Sequence, residues 1–255
     1  MTASVGPVER ANGRALLSII VPVYNEVATV AMVLERLRQI DLPLDREIIV
    51  VDDGSTDGTS ELLATVDYQA LSVRVFRNER NQGKGAAVRL GISRANGAIL
   101  AIQDADLELD PQQLAGLVTP ILSGETDVVY GSRFMDRRRP PMPRLSYYAN
   151  RALTGITNLL YGSRLTDMET CYKVMRTEVA RSVALTANRF DIEPEVTAKI
   201  LRKGYRVVER PVQFMPRSRA QGKKIGWRDA VQAVGVLCRC RFGRDSGFRV
   251  PRAAP

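Results

Sequence analysis

Two carboxylates one residue apart, Asp104 and Asp106, follow the apolar run 98–102. Side chains at i and i+2 of an extended segment point the same way, so both acids leave the end of a strand together. Carboxylates facing one point repel each other unless a cation sits between them. Hard oxygen donors of this kind suit Mg²⁺ or Mn²⁺ carried with a substrate diphosphate. Glu108, four residues after Asp104, is a candidate third ligand. A D-x-D triplet also arises by chance on polar loops, so its place after an apolar strand carries the argument.

A second acidic cluster, Asp52-Asp53-Gly54-Ser55-Thr56-Asp57, also follows an apolar run. A carboxylate there can accept from a ribose hydroxyl or a base N–H. Gly54 permits a tight turn. Ser55 and Asp57 suit the cap of the next helix, and capping is preferred for Asp57; Asp53 is assigned to a ligand. Gly83-Lys84-Gly85 resembles a phosphate loop only superficially. Position 78 is not Gly, and Gly85 stands where Ser or Thr should follow the lysine. The triplet is either a helix N-terminus near a nucleotide or a plain turn. The chain has no histidine, which removes Ser-His-Asp and Cys-His mechanisms and His-containing zinc sites. A general base must then be Asp or Glu.

These residues sit between alternating segments. Residues 17–24, 47–51, 73–76, 98–102 and 127–130 read as strands. Residues 28–40, a stretch after Asp57 with Leu62, Leu63 and Val66, 85–94 and 111–122 read as helices. Such alternation gives an α/β fold with a mostly parallel sheet and helices on both faces. Ligands of such sheets bind beyond the carboxyl ends of the strands, where the polar clusters fall. Further on, 133–144 reads as a mobile basic loop and 145–161 as a helix. Residues 167–173 read as a polar interruption, 190–203 as a helix and 205–214 as a strand. A basic loop at 217–224 precedes a helix at 227–238 with Trp227, Val231, Val234 and Cys238 on one face. Residues 1–15 are expected to be a flexible N-terminus, 16–225 the main domain, and 226–255 an amphipathic helix with a basic tail.

The 255 residues, 45% hydrophobic and 25% charged, are ordinary globular composition. No apolar run approaches the length of a membrane-spanning helix, and residues 1–14 lack a signal-peptide pattern. Three cysteines (Cys171, Cys238, Cys240) make no disulfide framework, which points to a reducing cytoplasm. The net charge of +9 is uneven: from Lys199 onward 15 Lys/Arg face three acids, Glu209, Asp229 and Asp245. A basic C-terminal quarter suits a phosphate, an anionic membrane surface or nucleic acid, or is simply a solvated tail.

Five motifs occur in order: P-V-Y-N-E (22–26), V-D-D-G-S-T-D-G-T (51–59), N-Q-G-K-G (81–85), Q-D-A-D-L (103–107) and G-S-R-F (131–134). Together they resemble a family 2 glycosyltransferase with the GT-A (Rossmann-like) fold. T-D-M-E-T-C-Y-K (166–173) and R-x-x-G-K-K (219–224) are similar to the branch of dolichyl- and polyprenyl-phosphate mannose or glucose synthases. The resemblance spans about residues 17–230. It implies that Pro22, Tyr24, Glu26 and Asp53 hold the base and ribose of a nucleotide sugar, with Lys84 beside them. It implies that Asp104 and Asp106 hold the metal. Glu108 departs from the Gln that related synthases often carry. Arg133 matches an arginine facing phosphate, while Arg144, Arg151, Arg219 and Lys224 match cations that receive the acceptor phosphate or donor diphosphate. Many relatives have C-terminal transmembrane helices that are missing here, so a peripheral protein on the cytoplasmic face of the membrane is expected.

The expected reaction is a metal-dependent, inverting transfer of a hexose from a UDP- or GDP-sugar to polyprenyl phosphate. Mg²⁺ or Mn²⁺ and the basic groups would stabilise charge on the leaving diphosphate. A phosphate monoester has a second pKa of about 6 and is already anionic near neutrality, so it needs cations more than a base. Asp167 and Glu169 are candidates for a base, for orienting Lys173, or for a helix-end cap. A soluble sugar or sugar-phosphate acceptor is the rival reading. A nucleic-acid-binding module is disfavoured by one Trp and no basic-aromatic interleaving. A nucleotidyltransferase would need an early Gly-rich phosphate loop that is missing.

Overall fold

The computed structural model describes residues 15–65, 72–136, 139–216 and 227–243. Val66, Arg219, Lys224, the rest of the 217–224 loop, residues 1–14 and the tail from Arg244 lie outside the described residues. β1 (Leu16–Val23), β2 (Asp45–Asp52), β3 (Val73–Arg77) and β4 (Ile99–Ile102) are parallel, with β1 between β2 and β4. β5 (Val128–Ser132), β6 (Lys173–Arg176) and β7 (Val207–Pro211) complete a seven-stranded sheet in the order β3-β2-β1-β4-β6-β5-β7. β6 runs antiparallel to both β4 and β5, and β7 is parallel to β5. The sheet is therefore mixed but mostly parallel. Pro22 is tolerated inside β1 because β4 pairs only as far as Ile20 on that side.

The centre of β2, Ile48 to Val51, is a continuous apolar run because helices cover both faces. On one face Ile19, Val21, Ile48 and Val50 meet α1 (Val30–Gln39), α2 (Thr59–Thr65) and α4 (Leu114–Leu122). On the other, Ile20, Ile49 and Leu100 meet α3 (Lys84–Arg94), α6 (Thr177–Ser182) and α7 (Ile192–Arg202). The expected helix over 111–122 begins as a 3-10 turn, Pro111–Gln113, capped by Asp110. Each fully buried Leu or Ile contributes about 1.5–3 kcal/mol.

β6 and α6 are the elements that periodicity did not reveal. Residues 167–173, expected as a polar interruption, are a buried connection into a central strand. Asp167, Thr170, Tyr172 and Lys173 are fully buried. They tolerate this because each polar atom finds a partner: the Thr170 hydroxyl donates to the Gly131 carbonyl at 2.6 Å, and Tyr172 donates to Gln103 Oε1 at 2.6 Å.

A third cluster lies outside the sandwich. α5 (Arg144–Tyr161), α7 and α8 (Trp227–Phe242) pack through Leu153, Met168, Ala198, Ala233, Val236, Leu237 and Cys240. The face of α8 expected to lie free was Trp227, Val231, Val234 and Cys238. A different face, Ala233, Val236, Leu237 and Cys240, is buried against the protein's own helices, while Val231 is exposed and Val234 and Cys238 are half-buried. Tyr161 donates to the Leu237 carbonyl at 2.8 Å and Arg202 to the Cys240 carbonyl at 2.6 Å, which ties α8 down. Two apolar stripes share this helix, and spacing alone does not rank them. Among the described residues no helix is long and apolar enough to cross a membrane.

Candidate functional site

The carboxyl ends of β1, β2, β4 and β5 converge on one edge. After β1 the chain turns through Asn25 at a positive φ of 55°. The Asn25 N–H donates to Ser55 Oγ at 2.9 Å, the Thr56 N–H to Asn25 Oδ1 at 2.8 Å, and the Glu26 N–H to Thr59 Oγ1 at 2.9 Å. The loops after β1 and β2 are thus laced together. Asp57 accepts from the Thr59 N–H at 3.0 Å at the start of α2, as a cap does, and also from the Val27 N–H at 3.2 Å. Tyr24 stands exposed at the edge, and Pro22 and Glu26 are half-buried beside it.

Asp53, expected to face a ligand, is buried and already engaged. It accepts from Asn78 Nδ2 at 2.8 Å, from the Gln82 N–H at 3.0 and 3.1 Å, and from the Gly83 N–H at 2.6 Å. A carboxylate has about four lone-pair sites, and three donors, one of them shared between both oxygens, take up most of them. Asp53 acts here as the brace of the 78–83 loop. Gly54, at φ 74°, lies so close to Arg80 that a Cβ would sit 2.7 Å from its carbonyl carbon.

That loop delivers Lys84. The Gly83-Lys84-Gly85 triplet is a helix N-terminus, not a plain turn: Gly83 has φ 101° and Lys84 opens α3. Lys84 Nζ lies 2.8 Å from Asp104 Oδ1, 3.1 Å from Asp104 Oδ2 and 2.9 Å from Glu193 Oε1. Burial opposes the ammonium charge, but Asp104 and Glu193 outweigh it and hold its pKa well above the ordinary lysine value. Asp106 accepts from the Glu108 N–H at 3.0 Å, with Leu107 at φ 60° between them. Asp104 and Asp106 are half-buried at the edge, whereas Glu108 is buried.

Sequence reasoning missed Glu193. Beside Pro194 and Glu195 at the start of α7, it reads as an ordinary first-turn acid. In the fold it is buried between two lysines, with Lys173 Nζ 2.5 Å from Oε2. Burial pushes its pKa up, yet Lys173 and Lys84 together hold it below the usual carboxylate value. No signal short of the tertiary fold could have joined position 193 to positions 84 and 173.

Lys173, expected at the reacting centre, is fully buried, and its three N–H donors go to Glu193, the Met168 carbonyl and the Thr170 carbonyl. It supports Glu193 and has no donor left for a substrate. Arg133, expected in a mobile basic loop, lies in the turn after β5 and is held by Asp167. It forks onto Asp167 through Nε (2.7 Å) and Nη2 (2.8 Å), and its N–H donates to the same carboxylate at 3.0 Å. Burial opposes the guanidinium charge, but Asp167 outweighs it and raises the pKa further. Asp167 is fully buried, so it neither caps a helix nor stands free as a base. The Phe134 and Phe214 rings lie 5.5 and 5.4 Å from the Arg133 guanidinium. Arg151, on the outside of α5, donates to the Thr166 carbonyl at 3.2 Å, and Arg144 is exposed at the start of that helix.

Glu169 lies between these two sets. Its Oε1 is buried without a hydrogen-bond partner. Burial pushes its pKa up to about 7; Glu193 and Asp167 act in the same sense, and Lys173 and Arg133 oppose it.

Residues 18–183 match the family described as Glycosyl transferase family 2. A dolichol-phosphate mannosyltransferase of Pyrococcus furiosus is 30% identical over 82% of this chain and 59% of its own length. An undecaprenyl-phosphate mannosyltransferase of Micrococcus luteus is 30% identical over 81% of this chain and 86% of its own. The chain spans as little as 33% of the length of other curated relatives that it matches. Among solved structures, glucosyl-3-phosphoglycerate synthase of Mycobacterium tuberculosis, in complex with Mn²⁺, UDP and glucosyl-3-phosphoglycerate, superimposes with a TM-score of 0.69. It covers 92% of this chain and 83% of its own, at 21% identity.

Proposed function

The chain belongs to glycosyl transferase family 2 and is a glycosyltransferase of GT-A fold, and we propose that it transfers a hexose, with inversion, from a UDP- or GDP-sugar to the phosphate of a polyprenyl phosphate. Relatives named for dolichol phosphate and undecaprenyl phosphate support the acceptor class. The observation that carries the reading is the chain of paired charges Asp104–Lys84–Glu193–Lys173, which runs from the open carboxyl edge of the sheet into its interior. A nucleoside diphosphate leaves with extra negative charge, and preorganised cations there stabilise the transition state. Lys84 is fixed beside Asp104 by two carboxylates and by a loop braced on Asp53. Tyr24 offers an exposed ring for the base, with Pro22 and Glu26 beside it.

Asp104 and Asp106 fit a divalent cation. Both are half-buried carboxylates at the open edge, and Mg²⁺ is usually held by one or two carboxylates together with substrate phosphates and water. Among the described residues no group of three or more Asp, Glu or Cys forms a ready-made cage; Asp104 and Asp106 would hold the cation together with the donor diphosphate, with Glu108 the remaining protein candidate. The cation, Mg²⁺ or Mn²⁺, supplies charge neutralisation on the leaving diphosphate. Arg133 sits on the acceptor side, oriented by Asp167. On this reading Arg144 and Arg151, exposed on α5, add positive charge for the acceptor phosphate; Arg219 and Lys224, given the same role by the family resemblance, lie outside the described residues. The second ionisation of that phosphate has a pKa of about 6, so the acceptor is nucleophilic without a dedicated base.

Incubation with labelled UDP-glucose or GDP-mannose, Mg²⁺ and polyprenyl phosphate, followed by organic extraction, tests the proposal. Label in the organic phase is the expected result. Label confined to the aqueous phase on a small phosphorylated acceptor would replace the lipid reading with the soluble-acceptor one.

A further inference from the structure

The charges around Glu169 balance without it. Lys84, Lys173 and Arg133 are matched by Asp104, Glu193 and Asp167, through the ion pairs Lys84–Asp104, Lys84–Glu193, Lys173–Glu193 and Arg133–Asp167. Glu169 is a further carboxyl group in this cluster, beside the Cys171 thiol that burial holds neutral. The Lys173 ammonium is spent on Glu193 and two carbonyls, and the Nε and Nη2 donors of Arg133 are engaged by Asp167, which leaves its Nη1 for an acceptor. Glu169 Oε1 is left buried with nothing to accept from. An ionised carboxylate with one oxygen buried and unpartnered is costly, and the neutral acid relieves that cost.

We propose that Glu169 is held as a neutral carboxylic acid and acts as a positioning residue, its neutrality leaving Arg133 and its surroundings able to receive an anionic acceptor. The inference rests on the phosphate-acceptor reading above. A phosphate brings one to two negative charges toward Arg133, and a carboxylate beside it would repel them at short range in a poorly solvated site. Burial, aided by Glu193 and Asp167 against Lys173 and Arg133, sets the pKa near 7, so the neutral form is lost as the pH rises past neutrality. Acceptor binding and Glu169 protonation then favour each other, as linked equilibria require.

The kinetic test measures the acceptor KM at saturating donor from about pH 6 to about pH 8.5 for the wild type, Glu169→Gln and Glu169→Asp. In the wild type the acceptor KM is expected to rise above about pH 7, approaching tenfold per pH unit at most. In Glu169→Gln, which cannot ionise, that rise is expected to disappear, and Glu169→Asp is expected to restore it. The acceptor's own ionisation is common to all three proteins and cancels in the comparison. Parallel wild-type and Glu169→Gln profiles would overturn the inference. Infrared difference spectroscopy of the wild type reads the same group without turnover. A protonated-carboxyl band present at pH 6, lost near pH 8 and lost on Glu169→Gln supports the inference; no such band in the wild type at pH 6 overturns it. Failure of every variant and the wild type to glycosylate any lipid phosphate, with the band present, would instead count against the acceptor reading.

Discussion

Lys84 occupies the first position of α3, where the helix dipole disfavours a cation. The carboxylates of Asp104 and Glu193 compensate, so the placement makes sense only as part of the site. The triplet that carries it was visible in the sequence, as were Asp104, Asp106 and Asp53. The true partners of Asp53 and the whole role of Glu193 were not, because they depend on loops 25 to 30 residues away and on a helix more than a hundred residues downstream. At this scale Asp104→Asn or Asp106→Asn should lower turnover by at least a hundredfold, about 2.7 kcal/mol or more of transition-state stabilisation; Asp106→Asn should leave the thermal midpoint little changed, whereas Asp104→Asn should lower it by removing one of the two carboxylates paired with Lys84. Steady-state kinetics with and without EDTA and a melting curve check both halves. A second prediction follows from Glu169. Its carboxyl titrates at about 7 in the fold against an ordinary value of 4.5, so between those values the folded state holds a proton that the unfolded chain has released. The stabilisation is fully present below about pH 4.5 and is lost as the pH rises toward 7, up to about 3 kcal/mol. Glu169→Gln should match the wild type in urea unfolding near pH 5 and exceed it near pH 8.

At the scale of elements, hydrophobic runs identified β1 to β5 and most helices because each buries a plain apolar face. They failed at β6, where a central strand begins with Lys173 and is approached through Asp167, Glu169 and Thr170. Burial there is achieved by pairing charges, and a polar run that pairs internally looks like a loop to any reading of periodicity. They also failed to choose between the two stripes of α8. The glycines are a finer test of the same idea. Gly83 adopts φ 101°, and a Cβ there would collide with the Asn188 carbonyl, whereas Gly116 inside α4 has open space. Gly83→Ala should raise the donor KM several-fold or more by displacing Lys84, and should lower stability. Gly116→Ala should raise stability by about 0.5–1 kcal/mol without touching the donor KM. Chemical unfolding and donor titration of the two variants separate the site glycine from the merely helical one.

For the whole molecule the proposed lipid acceptor raises the question of which side would meet a lipid. The sequence pointed to α8, but that helix is tied down on α5 and α7 through its other stripe, Ala233, Val236, Leu237 and Cys240. α5 itself presents the alternative. Leu145 is 83% exposed, Tyr148 65% and Leu159 86%, and with Ala152 and Gly155 they fall on one side of the helix at three- and four-residue spacing. Arg144 and Arg151 border that stripe, and the same helix carries Asn150, which accepts from Arg133 at 3.3 Å. The exposed Val231 and Phe242 of α8 lie on the helix packed against it. A stripe of this kind in water is a liability unless something apolar covers it, and a helix with an apolar face and flanking arginines suits the headgroup region of an anionic bilayer. Each arginine near such a leaflet contributes about 1 kcal/mol and each leucine inserted about 2 kcal/mol. Co-sedimentation should therefore show binding to anionic vesicles that weakens with salt and is weaker on neutral ones. The double substitution Leu145→Glu with Leu159→Glu should cut that binding more than tenfold. Since neither leucine belongs to the core, the melting temperature and nucleotide affinity should stay at wild-type values. Equal binding by the double variant would move the membrane contact off α5, and no binding by the wild type at low salt would remove the membrane from the reaction altogether.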